Sequence, residues 1–90
     1  MPAAGSDPLF AAFGAAVRAL RTRRGLTQEA LAERAQLHRT YVTDVELGRR
    51  NVSLYNIGRL ADALDVSMME LIGDAEARAA GGDPSPPVIG

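Results

Sequence analysis

Apolar residues return along this chain at the spacing of helices, in groups separated by polar or glycine-containing breaks. Phe10, Phe13, Val17 and Leu20 fall at i, i+3, i+7 and i+10, one face of a first helix. Asp7 followed by Pro8 supplies a cap and a proline at the first helical position, and Gly25 stops the helix. Leu31, Ala32 and Ala35 make the stripe of a second short helix capped by Thr27. Thr27 has Ala30 rather than Glu three residues on, so its cap is a single bond and not a reciprocal box. Val42 and Val45 make the stripe of a third helix, from about Arg39 to Leu47, ending at Gly48. Ser53 caps a fourth helix, whose buried stripe is Leu54, Ile57, Leu60, Ala61 and Leu64. Ser67 caps a short fifth helix, Met68 to Ile72. The pattern predicts an all-α, compact five-helix domain.

The second stripe breaks at Gln36-Leu37, where the chain has to bend before the third begins. Ala32 is small where the two helices would approach closely, and Leu37 is apolar where the turn would plug the gap between them. By itself this fits any helical hairpin as well as a helix-turn-helix. The domain is expected over residues 7–73. Met1 to Ser6, poor in apolar bulk, is expected to be disordered, and residues 74–90 to form a flexible tail. In DAEARAAGGDPSPPVIG the paired glycines and three prolines forbid a packed element, although Asp74 to Ala80 is able to prolong the fifth helix by two turns.

Ninety residues make one domain at most, too small for an enzyme core with a deep pocket. With no cysteine there is no disulfide framework or thiolate metal site, and the single His38 cannot assemble a metal centre, so no cofactor is expected. Ser53 and Ser67 are explained as caps, His38 sits beside Arg39, and no glycine-rich phosphate loop exists, which leaves no catalytic constellation. Arginine interrupts every long apolar run, so neither a signal peptide nor a membrane span is expected, and a soluble cytoplasmic protein follows. The net charge of −1 hides a segregation. From Arg18 to Arg59 there are nine arginines and four acids, +5; from Leu60 onward there are one arginine and six acids, −5. A basic half presented to phosphate with an acidic half turned away is the footprint of a DNA-binding module, because only local potential matters within a Debye length.

TQEALAERAQLHRTYVTDVELGRR resembles, nearly position by position, the helix-turn-helix of the lambda-repressor/Cro-like family, the xenobiotic-response-element type of regulator. The resemblance runs from about Phe13 to Ile72. GAAVRALRTRRGLTQEALAE is similar to that family's first helix and the start of its second, RRNVSLYNIGRLADAL to its fourth, and DVSMMELI to its fifth. In pattern the chain is most like short stand-alone regulators, including the controller proteins of restriction-modification systems. Gln36 departs from the family, which usually has glycine there in a left-handed turn; a non-glycine residue carries roughly 1 kcal/mol of strain in that conformation.

The resemblance implies that the first turn of the third helix enters the major groove, with Arg39, Thr40 and Asp44 at the positions that read base edges and Tyr41 and Thr43 at the flank. The chemistry agrees: Arg39 offers a planar fork for guanine O6 and N7, Thr40 meets a thymine methyl or a phosphate, and Asp44 can only accept, as from a cytosine amine. Phosphate contacts are expected from Gln28 at the start of the second helix, from His38 and Thr43, from Arg49, Arg50 and Asn51 beyond the third helix, and from the helix start at Ser53. The family also implies a partly buried ion pair between Arg21 and Glu46 that ties the first helix to the third.

Met68, Met69, Leu71 and Ile72 carry more apolar bulk than so short a fifth helix needs, and are the expected dimer interface. Glu29 and Glu33 lie at i and i+4 on the face opposite Leu31 and Ala32; the resemblance makes them candidates to touch the sigma subunit of RNA polymerase. The expected partners are therefore double-stranded DNA, a second copy of the chain and this subunit. The expected function is a homodimeric transcriptional regulator on an inverted-repeat operator. The alternative is an antitoxin-type or controller protein that also binds a protein partner, for which only the Asp74 to Gly90 tail is available.

Overall fold

In the computed structural model of the protein, which describes residues 7–81, each expected helix forms, and the short polar side chains start four of them. Asp7 Oδ1 accepts from the amides of Leu9 at 2.8 Å and Phe10 at 3.4 Å, opening α1 (Pro8–Arg23) with proline in its first turn. Thr27 caps α2 (Gln28–Ala35) through the Ala30 amide at 3.0 Å, the single bond its sequence allows. Ser53 caps α4 (Leu54–Ala63) through Asn56, and Ser67 caps α5 (Met68–Ala79) through Glu70. The exception is α3 (Arg39–Glu46), where His38 holds the cap position in extended backbone without a side-chain cap bond.

Four helices also end in one way, with two backbone amides turning back onto the last carbonyls around a residue of positive φ. Gly25 and Gly48 close α1 and α3. Gln36 at φ 57° and Asp65 at φ 62° close α2 and α4. The departure seen at Gln36 is thus a left-handed residue without glycine's freedom, and its geometry is the ordinary one: Leu37 N donates to Ala32 O at 2.8 Å and Gln36 N to Glu33 O at 3.2 Å. Both strained residues have their carbonyls taken by arginine, Gln36 O by Arg59 Nη1 at 3.0 Å and Asp65 O by Arg24 Nη2 at 3.1 Å.

The core gathers Val17, Leu20, Leu31, Val42, Val45, Leu60, Leu64 and Leu71, filled in by buried alanines from every helix except α3. Helix α5 packs chiefly along α1, and α3 sits between α1 and α2. Gly14 permits the α1 to α3 approach, because a Cβ there would stand 2.2 Å from Val45 O and 2.7 Å from Glu46 O.

Three expectations change. The fifth helix does not stop at Ile72: it runs to Ala79, with Ala75 buried and Arg78 Nε donating to Asp74 at 2.5 Å one turn back, so residues 74–79 belong to the domain rather than to a tail. Leu71 is wholly buried in the core and is unavailable to a dimer interface. Leu54, placed on the buried stripe of the fourth helix, is 71% exposed, since it occupies the first position of α4 before the helix meets its neighbours. The disorder expected at residues 1–6, and the tail from residue 82 onward, lie outside the described residues.

Candidate nucleic-acid interface

Helix α3 is eight residues long, and its two faces have opposite characters. Val42 and Val45 are fully buried, which fixes the rotation of the helix about its axis and turns the first-turn residues Arg39 and Thr40 outward, where both are exposed. The amides of that turn add positive partial charge, with no side-chain cap from His38 covering them.

One flank of α3 is tied to α2 and α1 through a chain of side chains. Arg21 and Glu46 form the expected ion pair with two contacts, Nε to Oε2 at 2.6 Å and Nη2 to Oε1 at 3.0 Å, and the side chains are only 14% and 3% exposed. The hydrogen bond to Glu46 raises the Arg21 pKa above its ordinary value against the lowering effect of burial, with charge attraction to Glu46 adding to the rise. Arg21 Nη1 further donates to Leu26 O at 2.8 Å. Glu46 Oε1 accepts a second bond, from Gln28 Nε2 at 3.0 Å, and Gln28 Oε1 accepts from Thr43 Oγ1 at 2.9 Å. Only this orientation of the Gln28 amide works, because the flipped one would put oxygen against the Glu46 carboxylate. Gln28 keeps one amide hydrogen for an outside acceptor. The Thr43 hydroxyl is shared between Gln28 and its own helix's Arg39 O at 3.1 Å.

The other flank meets the segment after the helix. Arg50 Nη2 donates to Asp44 Oδ2 at 3.2 Å, Arg49 Nη1 lies 4.0 Å from Asp44 Oδ1, and the Arg50 guanidinium stands 5.4 Å from the Tyr41 ring centroid. Asn56 of α4 donates to the Tyr41 hydroxyl at 3.2 Å. Tyr41 is therefore a half-buried ring braced from below, and Asp44 is engaged by two arginines. Asn51 and Ser53 are exposed next in sequence, with the Ser53 oxygen accepting the cap bond from the Asn56 amide and its O–H left to donate outward.

The fold thus assembles Gln28, Arg39, Thr40, Tyr41, Thr43, Asp44, Arg49 and Arg50 around α3. Glu29 and Glu33 are exposed on α2. Of the four residues assigned to a dimer surface, Leu71 is core, Met68 packs against the core, Ile72 is half-buried beside Phe10, Phe13 and Ile57, and Met69 alone is largely exposed, at 81%. Two participants were not visible in the sequence. Asn56 holds the Tyr41 hydroxyl, and Arg59 braces the turn at Gln36 O while donating to Tyr55 Oη at 2.9 Å. Among the described residues no group of acids and histidine is placed to hold a metal, and no helix is long and apolar enough to cross a membrane.

A family model described as helix-turn-helix matches residues 17–71. The control protein C.BamHI of Bacillus amyloliquefaciens is 46% identical over 61 residues, covering 67% of this chain and 75% of that protein. The immunity repressor protein of Bacillus phage phi105 is 39% identical over 61 residues, 68% of this chain and 42% of that protein. Among solved structures, the restriction-modification controller protein C.AhdI from Aeromonas hydrophila superposes with a TM-score of 0.68 at 53% identity, covering 69% of this chain and 94% of that one. The clp gene regulator ClgR from Corynebacterium glutamicum reaches 0.77 at 32% identity, covering 80% and 77%. This chain belongs to the Cro/CI-like helix-turn-helix family of DNA-binding transcriptional regulators, whose members are regulators and controller proteins and not enzymes.

Proposed function

We propose that the protein is a homodimeric, sequence-specific regulator that binds an inverted repeat of double-stranded DNA and controls its own or an adjacent operon. The observation that carries this reading is the presentation of Arg39 and Thr40: both are exposed at the start of a helix whose opposite face is fully buried and whose flank is tied by the Thr43, Gln28, Glu46 and Arg21 chain. A base-reading fork has to be held in register to discriminate, and this arrangement restricts α3 without using up Arg39. Gln28, with one amide hydrogen left, His38 beside the free first-turn amides, and Arg49, Arg50 and Asn51 are the phosphate-facing set.

Similarity to controller proteins and to a phage repressor supports the operator reading over a purely protein-binding one. The self-association surface is assigned to Met69 with its neighbour Met68, continued by Leu54 and Tyr55, which share a shallow groove with Met68 on the α4 and α5 side. Glu29 and Glu33 form an acidic pair on α2 that would meet the sigma subunit if the protein also activates. Footprinting on the DNA upstream of its own coding sequence tests the reading. Two protected half-sites about 10 bp apart centre to centre are expected; protection of a single half-site, or equal protection of any sequence, would contradict it.

A further inference from the structure

We propose that Asp44 is a positioning residue that occupies Arg50 and Arg49 in the free protein, standing in for a DNA phosphate, and thereby weakens binding to DNA of arbitrary sequence. This rests on the reading that α3 and the segment after it face DNA.

The geometry is asymmetric in a telling way. Asp44 lies on the recognition helix with a side chain only 23% exposed, whereas the arginines that cover it are 62% and 49% exposed at Arg49 and Arg50. Each carboxylate oxygen faces a different guanidinium, Oδ2 toward Arg50 at 3.2 Å and Oδ1 toward Arg49 at 4.0 Å. The Tyr41 ring lies against Arg50 at 5.4 Å, and Asn56 fixes that ring through its hydroxyl. The ring is thus a platform that holds Arg50 near the DNA-facing side whether or not the carboxylate is bound. A carboxylate and a phosphate offer a guanidinium the same paired acceptors, so one replaces the other without a change of fold.

A phosphate arriving at Arg50 must first displace Asp44. On random DNA the phosphate contacts supply essentially all of the affinity, so this competition falls on the whole of it. On an operator, base contacts by Arg39 and Thr40 add a share that it does not touch. The penalty is the same in both complexes, so an acid inside the basic surface lowers the affinity for random DNA and leaves the margin between operator and random DNA to the base contacts. It does so without reading a base, in contrast to the cytosine contact that its helix position suggests.

The test is a double-mutant cycle measured on a random-sequence duplex across a range of salt, using Asp44→Asn in the wild-type chain and in the Arg49→Ala/Arg50→Ala chain. In the wild-type background Asp44→Asn should tighten random-duplex binding about two- to five-fold, the range of an exposed ion pair, and steepen the salt dependence. In the arginine-less background it should tighten binding far less, by the loss of general repulsion alone. Equal tightening in both backgrounds would mean that Asp44 acts only as a general negative charge, and would overturn the proposal. So would a random-duplex affinity left unaltered by Asp44→Asn in the wild-type background. Thermal melts of each variant control for folding. Because the cycle uses random duplex only, it remains readable even if the wild-type chain shows no preferred operator, an outcome that would overturn the proposed function instead.

Discussion

Gln28 and Glu46 are joined side chain to side chain across the helix-turn-helix, Nε2 to Oε1 at 3.0 Å, and the same carboxylate holds Arg21 of α1. One acid therefore serves two ends, anchoring α3 to α1 and orienting Gln28 at the start of α2, the glutamine proposed to meet phosphate. Arg21→Ala or Glu46→Ala alone should cost about 3–5 kcal/mol of stability, because the surviving charge is left without its partner. The double mutant should lose less than the two single losses summed, as denaturant melts can measure. Additive losses would mean that the pair is not a unit.

Gln36 carries strain that a different residue would relieve. An L-residue in the left-handed region costs roughly 1–2 kcal/mol, against which glycine brings about 0.4–1 kcal/mol of extra freedom to the unfolded chain. Gln36→Gly should therefore stabilise the protein by up to about 1 kcal/mol and raise its melting temperature. Asp65→Gly should gain less, since aspartate tolerates this conformation better than glutamine does. A lower melting temperature for Gln36→Gly would contradict the account of the turn.

Met69→Asp should convert the proposed dimer to a monomer of unchanged helical content, read by sedimentation and circular dichroism. Met69 is 81% exposed, so the substitution disturbs no core contact. Ile72→Asp reads less cleanly: Ile72 is half-buried beside Phe10, Phe13 and Ile57, so a carboxylate there would cost stability as well as association. A Met69→Asp dimer would move the interface away from this face.

Glu29→Gln combined with Glu33→Gln should leave DNA affinity unchanged or slightly higher, as repulsion from phosphate falls. If the protein activates as well as represses, the same variant should lose activation from an operator placed just upstream of a weak promoter. Unchanged transcription would leave these two acids as solvated surface charge, and the protein as a repressor only.

What could be read from the sequence divides by how local the physics is. Asp7, Thr27, Ser53 and Ser67 announced their helices because a cap bonds to amides two or three residues ahead, all within one short string. The length of α5 stayed open in the sequence, a two-turn extension over Asp74 to Ala80 against a stop at Gly73: a helical glycine costs about 1 kcal/mol, which packing of Ala75 against the core and the Arg78 to Asp74 bond offset. Leu71 failed as an interface residue for the same reason, since a helix continuing along α1 has more core to fill. Gly14 was legible in principle, a glycine inside a helix with no turn to make, and its role is the bare approach of Val45 O. The arginines were the least legible. Arg24 and Arg59 counted only toward a basic half in the sequence, yet each donates to the carbonyl of a left-handed turn residue far along the chain, while Arg21, expected in its ion pair, adds a bond to Leu26 O.

The central claim is that Arg39 reads a base while Arg50 meets phosphate, and comparing Arg39→Ala with Arg50→Ala on operator and random duplex across salt tests it most directly. Arg39→Ala should weaken operator binding by about 1–3 kcal/mol, relax one base preference and leave random-duplex binding nearly as it was. Arg50→Ala should lower affinity for every sequence and flatten the salt slope by about one. Equal losses on operator and random duplex for both variants would contradict the assignment of recognition to the first turn of α3.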